Sequence, residues 1–183
     1  MAHRVCPWWG GYFIDHRIRR WLHRPEQLLA PFVSPGMTVL DFGCGMGFTS
    51  IAMAKLVGPA GAVISADLQP QMLGTLEKRA RRAGVAERIR THVCEKDSLG
   101  LDESVDFALA FWSAHEVPDL GRLLGEIHNC LVSGATFLVV EPRGHVTPED
   151  VVEMTEKAEE IGFATQEDQL AVLWSHTVLY RKA

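Results

Sequence analysis

Residues 39–47, with the sequence VLDFGCGMG, constrain the fold more than any other part of the chain. β-prone residues lead into Asp41, glycines then recur at every second position, and the apolar periodicity of a helix follows from Ile51. Glycine at this spacing allows a tight bend and lets a ligand approach main-chain N–H groups without a Cβ in the way. The stretch predicts a buried strand, a glycine turn and a helix, with a ligand site at the carboxyl end of a parallel strand.

The order of the glycines restricts the kind of ligand. A dinucleotide-binding turn reads G-x-G-x-x-G, and its last glycine packs the helix on the strand beneath a pyrophosphate. This turn reads D-x-G-x-G-x-G instead. A carboxylate in that position repels a diphosphate but suits a ligand that carries an ammonium group. The pattern therefore favours an amino-acid-like cofactor over NAD and leaves an NAD-type oxidoreductase as the disfavoured alternative.

With Asp41 leading its glycines, the stretch resembles motif I of the class I S-adenosylmethionine (SAM)-dependent methyltransferases. The resemblance continues at Asp67, which closes the apolar run 62–66 about 20 residues after Gly47, where an acid can accept both hydroxyls of a ribose. Over residues 37–140 the arrangement is similar to the UbiE-like, small-molecule branch of quinone-biosynthesis methyltransferases. The resemblance implies a single α/β domain over residues 1–183. Its expected fold is a Rossmann-like, doubly wound, seven-stranded and mostly parallel sheet with an antiparallel C-terminal hairpin strand.

The resemblance places the cofactor contacts mainly in the loops that follow the first four strands. Asp41 is expected to orient the amino-acid part of SAM, and Asp67 to bind its ribose. Either Glu95 or Asp97 fits the adenine contact in the loop after the third strand, and Asp97 is preferred. The full set of expected cofactor contacts is Asp41, Gly43, Cys44, Gly45, Asp67, Leu68, Asp97, Ser98, Trp112 and Tyr12.

Two further loops are expected to face the methyl acceptor. The fourth predicted strand delivers His115 and Glu116 to the site, and the fifth, predicted over 136–140 after a turn at 133–135, ends in a loop that begins with Glu141. These three residues are the candidates for orienting the acceptor or removing its proton, and a general base contributes about 10²–10⁴-fold in rate. A surface hydrogen-bonding role for His115 stays open. His145 either contacts the acceptor or caps the helix that follows, whose Thr and Asp spacing resembles a capping box.

The N-terminal segment, residues 1–24, combines aromatic and basic side chains. One face of a predicted amphipathic helix is apolar and the opposite face is basic. The simplest interpretation is that the apolar face packs on the domain while the basic face is solvated. The alternatives are a lid that folds over the cofactor, with Tyr12 in contact, and docking on a membrane surface.

Composition excludes several classes of protein. A formal net charge of −5 argues against a general nucleic-acid binder, because phosphate contacts need a basic face. The four cysteines lack any C-x-x-C spacing, so neither a metal site nor a disulfide framework is expected. No apolar run reaches membrane-spanning length and no signal-peptide pattern follows Met1, so a cytoplasmic protein is expected.

The expected activity is SAM-dependent methyl transfer to a small-molecule O, S, N, C or metalloid nucleophile by in-line displacement, with S-adenosylhomocysteine as the product. A SAM-binding regulatory or structural protein without turnover is the alternative. The expected partner is a small-molecule acceptor, and a homodimer is left open.

Overall fold

The computed structural model describes residues 23–166 and 170–183. Its seven strands are β1 (Thr38–Phe42), β2 (Ala62–Asp67), β3 (Ile89–Val93), β4 (Val105–Phe111), β5 (Leu131–Pro142), β6 (Phe163–Gln166) and β7 (Ser175–Lys182). They form one sheet in the order β3-β2-β1-β4-β5-β7-β6. Strands β1 to β5 pair in parallel, whereas β7 runs antiparallel to both of its neighbours. The fold class predicted from the sequence is confirmed.

Helices cover both faces of the sheet. They are α1 (Pro25–Leu29), α2 (Ser50–Leu56), α3 (Pro70–Ala83), α4 (Leu120–Cys130) and α5 (Pro148–Ile161), with short 3₁₀ turns at Ala86–Arg88 and Ala114–Glu116. Helices α1, α2 and α3 share a core with Val39 and Leu109, and α4 and α5 share the other core with Leu40 and Ala108. Successive strand residues thus enter opposite cores, which explains why these strands are almost continuously apolar.

Local sequence signals set the ends of the long helices. Helix α3 begins at Pro70 and ends at Gly84, whose φ of 70° suits a residue without a Cβ. Helix α5 begins with a complete capping box between Thr147 and Asp150, as the sequence spacing predicts, and it ends at Gly162. These local signals set where the two helices begin and end, whereas packing on the sheet decides which face each of them covers.

Strand β5 differs from its prediction at both ends. The predicted turn at 133–135 lies within the strand, where Gly134 adopts a φ of 75°. The pairing with β4 shifts register there, because β4 advances from Val105 to Phe107 while β5 advances from Leu131 to Thr136. The residues between these partners make the predicted turn as an excursion within the strand. The strand also continues to Pro142, which puts Glu141 in the sheet opposite His176 of β7 and not in a loop.

The strand order changes direction between β1 and β4. After β1 the chain passes to α2 on one face, and after β4 it passes to α4 on the other face. The two connections diverge and leave a crevice at the carboxyl ends of these strands, which is where ligands bind in open α/β sheets. Among residues 23–166 and 170–183, no helix has both the length and the apolarity needed to cross a bilayer.

Candidate functional site

The glycine loop, residues 43–47, follows β1 at this crevice. All three of its glycines have positive φ, namely 64° at Gly43, 54° at Gly45 and 86° at Gly47. A Cβ on Gly43 would overlap Cβ of Ser113, and one on Gly47 would lie 2.7 Å from Cγ of Leu76. Around Gly45, no heavy atom of the described residues lies within 4 Å of such a Cβ. The outer two glycines therefore leave no room for a Cβ, whereas the middle glycine faces space that residues 23–166 and 170–183 leave open.

Asp41 lies beneath the loop and is only 1% exposed. Its carboxylate accepts hydrogen bonds from Oγ1 of Thr49, at 2.9 and 2.7 Å, and from Oγ of Ser50 at 2.5 Å. Burial raises the pKa of Asp41 to about 6, although these hydroxyl hydrogen bonds oppose the rise. The side chain of Asp41 thus connects β1 to the start of α2 through hydrogen bonds. Its expected contact with the amino-acid part of SAM stays a prediction.

Asp67, at the end of β2, joins the glycine loop to the next loop along the sheet. Its Oδ2 accepts from the backbone N–H of Gly45 at 2.9 Å, and its Oδ1 accepts from that of Gln69 at 2.8 Å. Burial raises the pKa of Asp67, and the two backbone hydrogen bonds oppose that effect. The carboxylate thus lies beside the open face of Gly45, while the neighbouring Leu68 packs partly buried against the core. The expected ribose contact stays a prediction.

The loop after β3 contains both candidates for the adenine contact. Glu95 and Ser98 form an isolated antiparallel bridge, with the N–H of Glu95 donating to the carbonyl of Ser98 at 2.9 Å. Asp97 lies at the tip of this turn with its side chain 63% exposed, and its Oδ2 is 3.4 Å from Nη1 of Arg122. The choice between Glu95 and Asp97 stays a prediction.

Glu126 of α4 anchors this loop, and reasoning from the sequence misses it. Its carboxylate accepts from Oγ of Ser98 at 3.0 Å and from the backbone N–H of Leu99. Burial tends to raise the pKa of Glu126, but these hydrogen bonds and Arg122 outweigh it and leave the pKa below its ordinary value. Because Glu126 is far from the loop in sequence, no spacing pattern signals the contact.

Trp112 follows β4 with a φ of 61°, which is unusual for a bulky side chain. Its backbone N–H donates to the carbonyl of Val140 at 2.7 Å, and its indole Nε1 donates to Oγ of Ser175 at 3.0 Å. Its ring also contacts Phe111 and His23, with centroids 5.6 and 5.4 Å away. Strained residues held this firmly are frequent at functional sites. Its expected contact with the cofactor stays a prediction.

His115 and Glu141 form a buried pair, with 6% and 2% of their surfaces exposed. Nδ1 of His115 donates to Oε2 of Glu141 at 2.5 Å, and Oε1 accepts from the backbone N–H groups of Ala114 at 2.8 Å and His115 at 3.3 Å. Burial lowers the pKa of His115, but the hydrogen bond and charge of Glu141 outweigh it and raise that pKa above its ordinary value. Glu116 is half-buried in the same 3₁₀ turn. The pair is suited to receiving a proton, and catalytic roles for all three residues stay predictions.

Tyr12 and the rest of residues 1–22 lie outside the described part of the chain, so the lid, packing and membrane-docking interpretations of the N-terminal segment stay predictions. The last histidine of the segment, His23, belongs to the described part. The His23 ring contacts Phe48, Phe111 and Trp112 edge-on, with centroids 6.4, 5.7 and 5.4 Å away. The described part of the chain therefore begins beside the carboxyl end of β4.

Comparison with known proteins identifies the family. A family model described as a methyltransferase domain matches residues 33–177. The demethylmenaquinone methyltransferase of Lactobacillus johnsonii is 34% identical over 119 residues, which is 63% of this chain and 48% of that protein. The arsenite methyltransferase of Halobacterium salinarum is 31% identical over 122 residues, 66% of this chain and 29% of that protein. The chain thus spans about half or less of the length of these curated relatives.

Structural comparison agrees on the fold. A crystal structure of a SAM-dependent methyltransferase from Aquifex aeolicus superposes with a TM-score of 0.86 at 23% identity, covering 98% of this chain and 100% of that one. The fold, the glycine loop and the family match together define a class I SAM-dependent methyltransferase domain, and the chain belongs to this family. Its similar relatives include demethylmenaquinone and ubiquinone/menaquinone methyltransferases.

SAM is the cofactor of this family, and the residues at the crevice fit it. A Cβ on Gly45 would point into space that the described residues leave open, and the buried carboxylate of Asp67 accepts from the N–H of the same glycine. Carboxylates are the acceptors that ribose hydroxyls and an ammonium group require.

Proposed function

We propose that this chain catalyses transfer of the methyl group of SAM to a small-molecule nucleophile by in-line displacement, releasing S-adenosylhomocysteine. The observation that carries the proposal is the open face of Gly45, bordered by Asp67, at the point where the strand order reverses. His115 follows β4, and Glu141 lies near the end of the neighbouring strand β5. This buried pair is therefore at the same edge of the sheet. Cofactor and acceptor functions are thus assigned to adjacent loops.

The residues on the cofactor side act by binding and orientation. When bound, SAM supplies a methyl group that is already electrophilic, so alignment and exclusion of water provide most of the rate. In this proposal Asp67 accepts from the ribose hydroxyls, while Asp41 holds the glycine loop in shape from below. Glu126 fixes the loop after β3, from which Asp97 or Glu95 accepts from the adenine.

The acceptor is proposed to be a small molecule bound between the loop after β4 and the loop after β5. The described connection between β5 and α5 is short, running from 143 to 147, so it contributes no inserted segment that could bind a large acceptor. A net charge of −5 also favours a small molecule over a nucleic acid. The names of the relatives suggest testing quinone precursors and arsenite first.

The N-terminal segment is proposed to cover the bound cofactor. The contacts of the His23 ring with Phe111 and Trp112 support this role, because they place this one residue at the edge where the cofactor is expected. A lid there would exclude water during transfer, with Tyr12 facing the ligand.

The test is a calorimetric and thermal-shift titration of the full chain with SAM, S-adenosylhomocysteine and NAD. The expected result is micromolar binding of the first two ligands, with a raised melting temperature and no response to NAD. Turnover is then measured by S-adenosylhomocysteine release with quinone precursors, phenols, thiols and arsenite. SAM binding without turnover of any acceptor would favour the regulatory alternative, whereas a folded protein that binds no SAM would refute the proposal.

A further inference from the structure

We propose that His145 and His115 form a two-histidine relay that carries the proton of the methyl acceptor from the buried site to solvent. The proposal rests on the proposed function and deepens it, because it requires an acceptor whose nucleophilic atom bears a proton. As the electron pair of that atom bonds to the methyl carbon, the carbon–sulfur bond breaks and its electrons remain on sulfur. The acceptor's proton passes to Nε2 of His115. After the methylated product has left, the same nitrogen passes the proton to His145, and His145 releases it to water.

The hydrogen bonds of His115 leave one ring nitrogen for this exchange. Its Nδ1 is engaged by Glu141 at 2.5 Å, and the other oxygen of Glu141 is held by two backbone N–H groups. The carboxylate is thereby fixed by three donors, so the imidazole cannot turn without breaking a buried hydrogen bond. Nε2 is the nitrogen that remains for a substrate proton, on a side chain that is only 7% exposed.

His145 lies where such a proton can leave. Its exposed ring has its centroid 5.4 Å from that of His115, at an interplanar angle of 56°. The two rings are in tilted contact without a hydrogen bond between them, so the transfer requires rotation of the exposed His145 side chain toward Nε2. The turn that carries His145 is anchored, because the N–H groups of His145 and Val146 both donate to the carbonyl of Pro142 at 3.0 Å. The same turn follows Glu141 directly, so one strand end positions both partners of His115.

The competing interpretation from the sequence is that His145 caps helix α5. The structure assigns that task elsewhere, since Thr147 is the N-cap and exchanges hydrogen bonds with Asp150 in a complete capping box. His145 precedes the cap by two residues and contacts the ring of His115 instead.

The charged groups around His115 favour the protonated form of its ring. Glu141 of β5 and Glu116 of the same 3₁₀ turn both favour the charged form of its ring, and burial opposes them. His145 faces it from the turn after β5, and His176 lies opposite Glu141 on β7. A base that retains its proton must release it before the next turnover, and an exposed ring in contact provides the route.

The first experiment needs no acceptor and uses nitrogen-15 NMR of the histidine rings in the full chain. Titration curves of His115 and His145 are recorded for the wild type and for His145→Gln, with His128→Gln as the matched control. His128 lies at the opposite edge of the sheet, against Phe163. We expect His145→Gln to move the midpoint of His115 by at least about 0.3 pH units, as coupled sites require, and His128→Gln to leave it in place. An unchanged midpoint in His145→Gln would overturn the relay.

The second experiment uses turnover with the best acceptor found in the screen. His145→Gln is expected to lower kcat about tenfold while the KM for SAM is unchanged, and added imidazole should restore much of the rate. His128→Gln should match the wild type. Full kcat in His145→Gln, or a loss that imidazole does not restore, would refute the relay while leaving methyl transfer itself intact. Absence of SAM binding in the wild type would instead refute the proposed function, and the NMR experiment would still decide whether the two rings are coupled.

Discussion

Replacement of Gly45 by alanine tests the cofactor site most directly. Alanine at a φ of 54° is strained, and a left-handed residue with a Cβ costs about 1–2 kcal/mol. The added methyl group meets no heavy atom of the described residues within 4 Å, so these residues add no packing cost. With about 2–4 °C lost per kcal/mol in a domain of this size, the melting temperature should fall by a few degrees. The methyl group occupies the space assigned to SAM, and we expect its affinity to fall by about tenfold or more, about 1.4 kcal/mol.

Gly58→Ala provides the matched control. Gly58 has a φ of 66°, and within the described part of the chain no heavy atom lies within 4 Å of the position that a Cβ would take. It follows α2, at the opposite end of that helix from the glycine loop, so its substitution repeats the backbone strain without touching the site. Gly43→Ala provides the contrast, because its Cβ would overlap that of Ser113. Overpacking adds about 1–3 kcal/mol to the strain there.

The assay is urea denaturation for stability and calorimetry for SAM affinity. The expected pattern is similar stability for Gly45→Ala and Gly58→Ala, with SAM affinity lost only in the former and stability lost most in Gly43→Ala. Equal SAM affinity in the Gly45 and Gly58 variants would refute the assignment of the open face of Gly45 to the cofactor.

Three further predictions concern the acids of the site. Asp67→Ala should weaken SAM binding by about tenfold or more in calorimetry, because it removes the proposed ribose acceptor and frees the N–H of Gly45; unchanged affinity would contradict the ribose assignment. Glu126→Ala should raise the KM for SAM several-fold with kcat little changed, since the N–H of Leu99 loses its acceptor, and an unaltered KM would show that this loop does not bind SAM. The pKa of Asp41, raised from 3.8 to about 6, gives stability that is fully present below about pH 4 and is lost as pH rises through 6. Because asparagine cannot ionise, the free energy of unfolding of Asp41→Asn should fall by about 3 kcal/mol less than that of the wild type between pH 4 and pH 8, as measured by urea denaturation. Parallel pH profiles of the two proteins would be inconsistent with a buried ionisation.

Much of the fold was predictable because its signals are local. The acid and alternating glycines after β1, the proline and glycine at the ends of α3, and the Thr147 capping box each act within a few residues. Strand β5 shows the limit of this approach. A glycine at 134 predicts a turn, but it does not reveal that the pairing with β4 occurs on both sides of that turn, at Leu131 and at Thr136.

The site was predictable only as a set of loops. Parallel strands bring their carboxyl ends to one edge, so Asp41, Asp67 and His115 could be placed there from strand order alone. What each side chain contacts was not accessible in this way. The carboxylate of Asp41, for example, accepts hydrogen bonds from the hydroxyls of Thr49 and Ser50. Both residues follow the glycine loop closely in sequence, but their position there does not reveal the contact.

Short-range sequence patterns were sufficient for the class of fold, the position of the glycine loop and the family, because periodicity and glycine spacing act over short distances. The packing of distant elements decided that Glu141 orients His115 and that Glu126 holds the loop after β3. It also brought His145 to His115. These contacts join elements that are remote in sequence, and their geometry depends on strand register and helix packing, which no local pattern encodes.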